Sequence, residues 1–185
     1  MDKATVDKIK AWVQNGGTLI TIKSGTEWAI KQGLSKEKLI PAIDSVRGNT
    51  VTRLNYDMAS DNEGAKSLGG SIFQADLDTT HPIGFGFSNR KISVYRNGQT
   101  YLAPSANPYC TVVQYTDNPL IGGYLHPNSA KKIKNSAAIS IAQEGEGRII
   151  LFTDDPNFRG AWYGTNKLFL NALFFGSLIN VPKLN

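Results

Sequence analysis

Lys23-Ser24-Gly25-Thr26 follows the apolar run Thr18 to Ile22 directly, so a strand turns there into the helix expected over Thr26 to Gln32. Such an elbow exposes a nucleophile and aims a helix N-terminus at an anion. Ser24 would be the nucleophile of a hydrolase if a histidine served as its base and a carboxylate oriented that base. The fuller G-x-S-x-G spacing is absent, because Ile22 stands two residues before Ser24. Turn formation is therefore the plainer reading of Ser24.

The second chemical stretch is Thr153 to Arg159, which follows the unbroken apolar run Ile149 to Phe152. A run of that kind marks a strand covered on both faces. In open α/β sheets, ligands bind at the carboxyl ends of such strands. Asp154 and Asp155 could be paired as acid and base for glycoside chemistry, but adjacent residues on an extended loop point apart. The alternative is structural: Asp155 or Asn157 closes an Asx turn, and Arg159 pairs with an aspartate. Ligand binding by Ser24, Asp154, Asp155, Asn157 or Arg159 stays open beside it.

The two histidines, His81 and His126, both precede proline, a context that favours extended backbone. Asp76, Asp78 and His81 form a D-x-D-x-x-H pattern able to offer a metal two oxygens and one nitrogen, though turn and cap carboxylates have the same spacing. Trp28, Trp162, Tyr163, Phe85 and Phe87 are candidates for stacking sugars or peptides, or for plugging the domain edge. Cys110 is the sole cysteine, so neither an internal disulfide nor a multi-cysteine metal site is available. It is read as a structural thiol.

These segments need a scaffold. The 185 residues suffice for one domain spanning 1–185, and 41% hydrophobic with 19% charged residues suits a globular core. Twenty basic against fifteen acidic residues give a net charge of +5. Lys131, Lys132 and Lys134 are the densest cluster, and the missing aromatic interleaving argues against nucleic acid. No run is long enough to span a membrane.

The helix containing Val6, Ile9, Trp12 and Val13 runs through Gly16-Gly17 into the strand Thr18 to Ile22. That is the second half of a crossover, so the chain reads as a C-terminal fragment of a longer protein. Further strands are expected at Ser71 to Ala75, Thr111 to Tyr115, Leu120 to Tyr124, Ala137 to Ala142 and Arg148 to Phe152. Lys91 to Ala103 reads as a hairpin turning at Asn97-Gly98. Short helices are expected near Ser35 to Ile40 and Ser129 to Asn135, with loops elsewhere between 34 and 70. The apolar helix Thr165 to Leu178 closes an α/β fold with an antiparallel portion.

The order GGTLITIKSG, IFQADLDTTHPIGFGF and GRIILFTDDPNFRGAWYGTNKLFLNALFFG resembles the class I glutamine amidotransferase-like domain. More closely, it resembles the version at the C-terminus of secreted bacterial zinc carboxypeptidases of the M14 family. The resemblance implies a flavodoxin-like mixed sheet flanked by helices and lacking its first strands. It places a cysteine at the elbow and His-Pro-Glu in the late loop, where this chain has Lys23 or Ser24 and Asp154 to Asn157. It therefore implies a non-catalytic accessory domain, without cofactor, assisting an upstream peptidase domain that holds the zinc. A secreted or periplasmic location follows only from the resemblance. The alternatives are a hydrolase using Ser24, or a carbohydrate-binding or oligomerisation module of a sugar-processing enzyme, with a peptide or glycan as ligand.

Overall fold

Asp2 caps the first helix, α1 (Lys3–Gln14), by accepting a hydrogen bond from the Thr5 amide at 2.9 Å. In this computed structural model, which describes residues 1–41 and 53–182, α1 buries Val6 and Val13. Trp12 is half exposed: its ring covers Gly17, where any side chain would collide with it. The turn over Gly16 and Gly17 leads to β1 (Thr18–Ile22), then α2 (Ser24–Lys31), α3 (Ala59–Lys66), β2 (Ser71–Leu77) and β3 (Lys91–Arg96). After these come β4 (Thr111–Gly122), α4 (Pro127–Ile133), β5 (Ala137–Glu144), β6 (Gly147–Phe152) and α5 (Tyr163–Phe175).

The strands form one mixed sheet in the order β1-β6-β5-β4-β2-β3. β1 runs parallel to β6, with Ile20 beside Ile150, and the other neighbours are antiparallel. β6 is covered on both faces, as its apolar run predicts. Ile149 and Leu151 join Val6, Val13 and Ala29 of α1 and α2 on one side. Ile150 and Phe152 join Leu168 and Ala172 of α5 on the other. Burying each of these large side chains contributes about 1.5–3 kcal/mol.

Four local expectations are corrected. Asn97-Gly98 does not turn a hairpin, because β2 already pairs with β3 (Phe73 opposite Val94). The chain after Arg96 instead crosses the sheet end, and Leu102 bridges both Leu39 and Ala137. That crossing also removes the helix expected near Ser35 to Ile40, whose backbone is drawn into pairing: Ile40 donates to the Tyr101 carbonyl at 2.8 Å. The strands expected at Thr111 to Tyr115 and Leu120 to Tyr124 are not separated by a turn: Asp117-Asn118-Pro119 lies within the single long strand β4, past its last pair with β5 and opposite a register shift in β2. Proline is tolerated at such edges and irregularities. Of the polar stretch from 34 to 70, residues 42–52 lie outside the described residues. Finally, α5 is not buried all round: Leu170, Leu173 and Phe174 face outward, Phe174 with 74% of its surface exposed.

Candidate functional site

The carboxyl ends of β1 and β6 lie side by side, and Lys23 marks the crevice there. Its backbone adopts φ 52°, ψ −118°, an uncommon conformation for a residue with a side chain. The turn is held from both sides of the parallel pair. The Lys23 amide donates to the Phe152 carbonyl at 2.9 Å, and the buried Thr26 hydroxyl donates to the same oxygen at 2.7 Å. Lys23 thus occupies the strained elbow position, and Ser24 is the first residue of α2. Ser24 is exposed, and its hydroxyl makes no hydrogen bond to any described residue. The Lys23 ammonium donates to Asn97 Oδ1 at 2.8 Å, so the crossing loop is tied across the crevice.

Beneath that loop lies a charged cluster. Arg96 is 1% exposed and Asp154 6%. The Arg96 guanidinium donates to Asp154 Oδ1 at 2.8 Å and to the Thr100 carbonyl at 2.5 Å. The Tyr115 hydroxyl donates to Asp154 Oδ2, and the Thr153 hydroxyl lies 3.0 Å from the same oxygen. The Tyr101 ring sits 4.6 Å from the guanidinium carbon, a cation–π contact. Burial alone would lower the Arg96 pKa, but the Asp154 carboxylate and the two tyrosines outweigh it and raise it. Burial, reinforced by Asp154, holds the Tyr115 phenol well above its ordinary value, so Tyr115 stays a proton donor to the carboxylate. The crevice is filled by this ion pair, which leaves the Arg96 Nε and the Tyr101 hydroxyl buried without a hydrogen-bond partner among the described residues, and the cavity beside Asp154 is only about 20 Å³.

The other candidates are dispersed. Asp155 accepts the Asn157 amide at 2.9 Å, which is the Asx turn. Arg159 pairs with neither aspartate, contrary to expectation. Asp154 is turned inward to Arg96, and Arg159 is exposed with its guanidinium 5.2 Å from the Phe158 ring. Asp76 takes a bidentate grip from Arg90 (2.9 and 2.6 Å), and that hydrogen bonding lowers its pKa. Asp78 accepts the Thr80 amide and hydroxyl at 2.9 and 2.6 Å. The two aspartates therefore serve separate partners. Among the described residues, no group of three metal-ligating side chains converges.

His81 and His126 do the same local job. Each uses Nδ1 to accept an amide hydrogen bond two residues on, from Ile83 at 3.1 Å and Asn128 at 3.2 Å, capping the turn that begins at its proline. An imidazole engaged this way carries its proton on Nε2 and has no free basic nitrogen. Burial lowers the His81 pKa, with Asp78 opposing. Cys110 shares a cavity of about 200 Å³ with His81, and burial pushes its thiol pKa up.

Arg96 and Tyr115 escape motif-based reading, yet period two in the strands places them. Ile92, Val94 and Arg96 share one face of β3, Val113 and Tyr115 one face of β4, and Ile150, Phe152 and Asp154 one line along β6. Arg96, Tyr115 and Asp154 thus continue three buried apolar rows to the end of the sheet.

No family model and no curated protein matches this sequence. Among solved structures, the chain is similar to Cytoplasmic Protein STM3548 from Salmonella typhimurium, at 15% identity and a TM-score of 0.51. The likeness covers 95% of this chain and 61% of that one, so the chain spans about three fifths of its neighbour's length. At this identity the likeness is one of fold alone, and it agrees with a mixed α/β sheet flanked by helices. It also corrects the expectation of a secreted or periplasmic location. The neighbour is described as a cytoplasmic protein, which points away from export.

Proposed function

We propose that this chain is a non-catalytic α/β accessory domain that packs on a catalytic neighbour. The observation that carries the reading is the outer face of α5. Leu170, Leu173 and Phe174 are exposed at i, i+3, i+4 spacing, and Leu178 continues the patch at 70% exposure. An apolar surface of that kind marks a contact site. Further support comes from the filled crevice and from two histidines whose Nδ1 atoms are engaged in capping.

The finer reading is an amidotransferase-like, flavodoxin-like sheet attached to a zinc carboxypeptidase. It rests on the resemblance of GGTLITIKSG and GRIILFTDDPNFRGAWYGTNKLFLNALFFG alone. The DNA upstream of the Met1 codon tests that parent. An in-frame H-x-x-E motif is expected, and an in-frame stop codon overturns it. The domain so encoded, expressed separately, should co-elute with this chain. A Leu173→Glu/Phe174→Glu variant should lose co-elution while keeping its melting temperature, and undiminished co-elution would remove α5 from the interface. Within the neighbouring catalytic domain, the predicted role of this chain is contact, so Ser24→Ala should leave any hydrolysis unchanged.

A further inference from the structure

The turn after β6 ends beside a second concavity, distant in character from the filled crevice. It is a cleft of about 470 Å³ between the start of β2, the end of β3, Gly122-Gly123 and the segment Phe158 to Trp162. That volume falls in the range of small-molecule sites. Its walls are aromatic: the Tyr95 ring stacks on Phe158 at 4.0 Å and 25°, and Trp162 lies 6.1 Å from Tyr95. A side chain at Gly70 would strike the Tyr95 hydroxyl, so glycine there makes room for the Tyr95 ring in the cleft wall.

The polar atoms nearby are largely engaged. The Trp162 Nε1 proton goes to the Ser93 carbonyl at 3.3 Å, and the Ser71 hydroxyl donates to the Tyr124 carbonyl at 2.7 Å. Arg159 differs. Its backbone is left-handed at φ 54°, ψ 17°, followed by Gly160 at φ 62°, and it lines the cleft with its guanidinium 5.2 Å from the Phe158 ring. Among the described residues it has no carboxylate partner, since Asp154 belongs to Arg96 and Asp155 caps Asn157.

We propose that this cleft binds a small aromatic carboxylate, with the ring against the Tyr95, Phe158 and Trp162 walls and the carboxylate on Arg159. An apolar lining with one unneutralised guanidinium selects a planar apolar body carrying a single negative charge. A sugar would require several wall donors, and with the Trp162 indole and the Ser71 hydroxyl committed, Tyr95 offers the one neutral side-chain hydroxyl left among the described lining residues. A cationic ligand would meet Arg159.

The test uses the full chain and two probes, 3-phenylpropionate and its neutral amide, followed through the Trp162 indole N–H resonance, assigned with Trp162→Phe. The acid should shift that resonance saturably and bind about tenfold more tightly than the amide. Arg159→Gln should weaken the acid about tenfold and leave the amide unchanged, while Phe158→Ala should weaken both. Unchanged resonances elsewhere in each variant's spectrum report that it folds. Equal binding of acid and amide, indifference to Arg159→Gln, a response to cello-oligosaccharide in place of the acid, or no saturable response would each overturn the assignment.

Discussion

Arg96 and Arg159 both stand beside the turn that follows β6, under opposite conditions. Arg96 ends a strand, is 1% exposed, and has a carboxylate, a carbonyl and a tyrosine ring fitted around it. Arg159 sits on a left-handed turn, exposed, against a single aromatic ring. A charge taken out of water must have its partners built in, whereas one left in water keeps its solvation and stays available. The crevice where α/β folds commonly bind ligands is thus closed by Arg96, and the open cleft is offered by Arg159.

The largest effect that can test this contrast comes from breaking the buried pair. Arg96→Met should destabilise the chain by about 3–5 kcal/mol, because Asp154 would remain buried without its counter-ion. Asp154→Leu should cost a similar amount for the reciprocal reason. The double variant should cost clearly less than the sum, since no orphan charge remains. Urea unfolding of the four proteins measures this. Strict additivity would mean that the two residues do not act as a pair.

Much of this arrangement is legible along the chain, and the rest is not, for identifiable reasons. Ile149 to Phe152 announces a doubly covered strand, and Asp155 to Asn157 announces an Asx turn, because both depend on neighbours in sequence. The partner of Asp154 depends on a neighbour in space. Arg159 is five residues away and was the natural expectation, yet Arg96, on the buried row of Ile92 and Val94, reaches the carboxylate. The outer face of α5 was hidden for a different reason. Its sequence is apolar nearly all round, and composition cannot say which side meets the sheet. The strain at Lys23 is not legible for a third reason: a lysine carries no sequence signature of an unusual backbone conformation.

Strain provides the next comparison. Lys23 at φ 52°, ψ −118° lies in a sparsely populated region, whereas Arg159 at φ 54°, ψ 17° lies in the milder left-handed helical one. Substituting each by Ala and by Gly separates backbone from side chain, because both remove the side chain and only Gly relieves the torsion. Lys23→Gly should be more stable than Lys23→Ala by about 1–3 kcal/mol. The same difference at Arg159 should be about 1 kcal/mol. Thermal unfolding of the four variants gives the order, and a reversed order would relocate the strain to the open turn.

Burial also couples the His81 cap to pH. His81 has a pKa lowered from its ordinary 6.5 by burial. The unfolded chain therefore takes up a proton near pH 6.5, while the folded chain resists until the pH is lower. The resulting stability is fully present above pH 6.5 and is lost as the pH falls through the folded value. His81→Asn keeps a capping side chain and removes the titration, so its melting temperature should fall less between neutral and mildly acidic pH than that of the parent. Parallel curves would show that the buried cap does not titrate.

The smallest expected change in stability is the one that most sharply divides the two arginines. Arg159→Gln removes a charge from solvent, breaks no ion pair among the described residues, and keeps a side chain long enough to lie on Phe158. Its effect on unfolding should stay within about 0.5 kcal/mol, as for surface substitutions away from special features. The same exchange at Arg96 should cost several times more, because there the amide would leave Asp154 without a counter-ion. If Arg159→Gln instead destabilised the chain as severely as Arg96→Gln, Arg159 would be a structural group. Its guanidinium would then no longer be free to receive a carboxylate at the cleft.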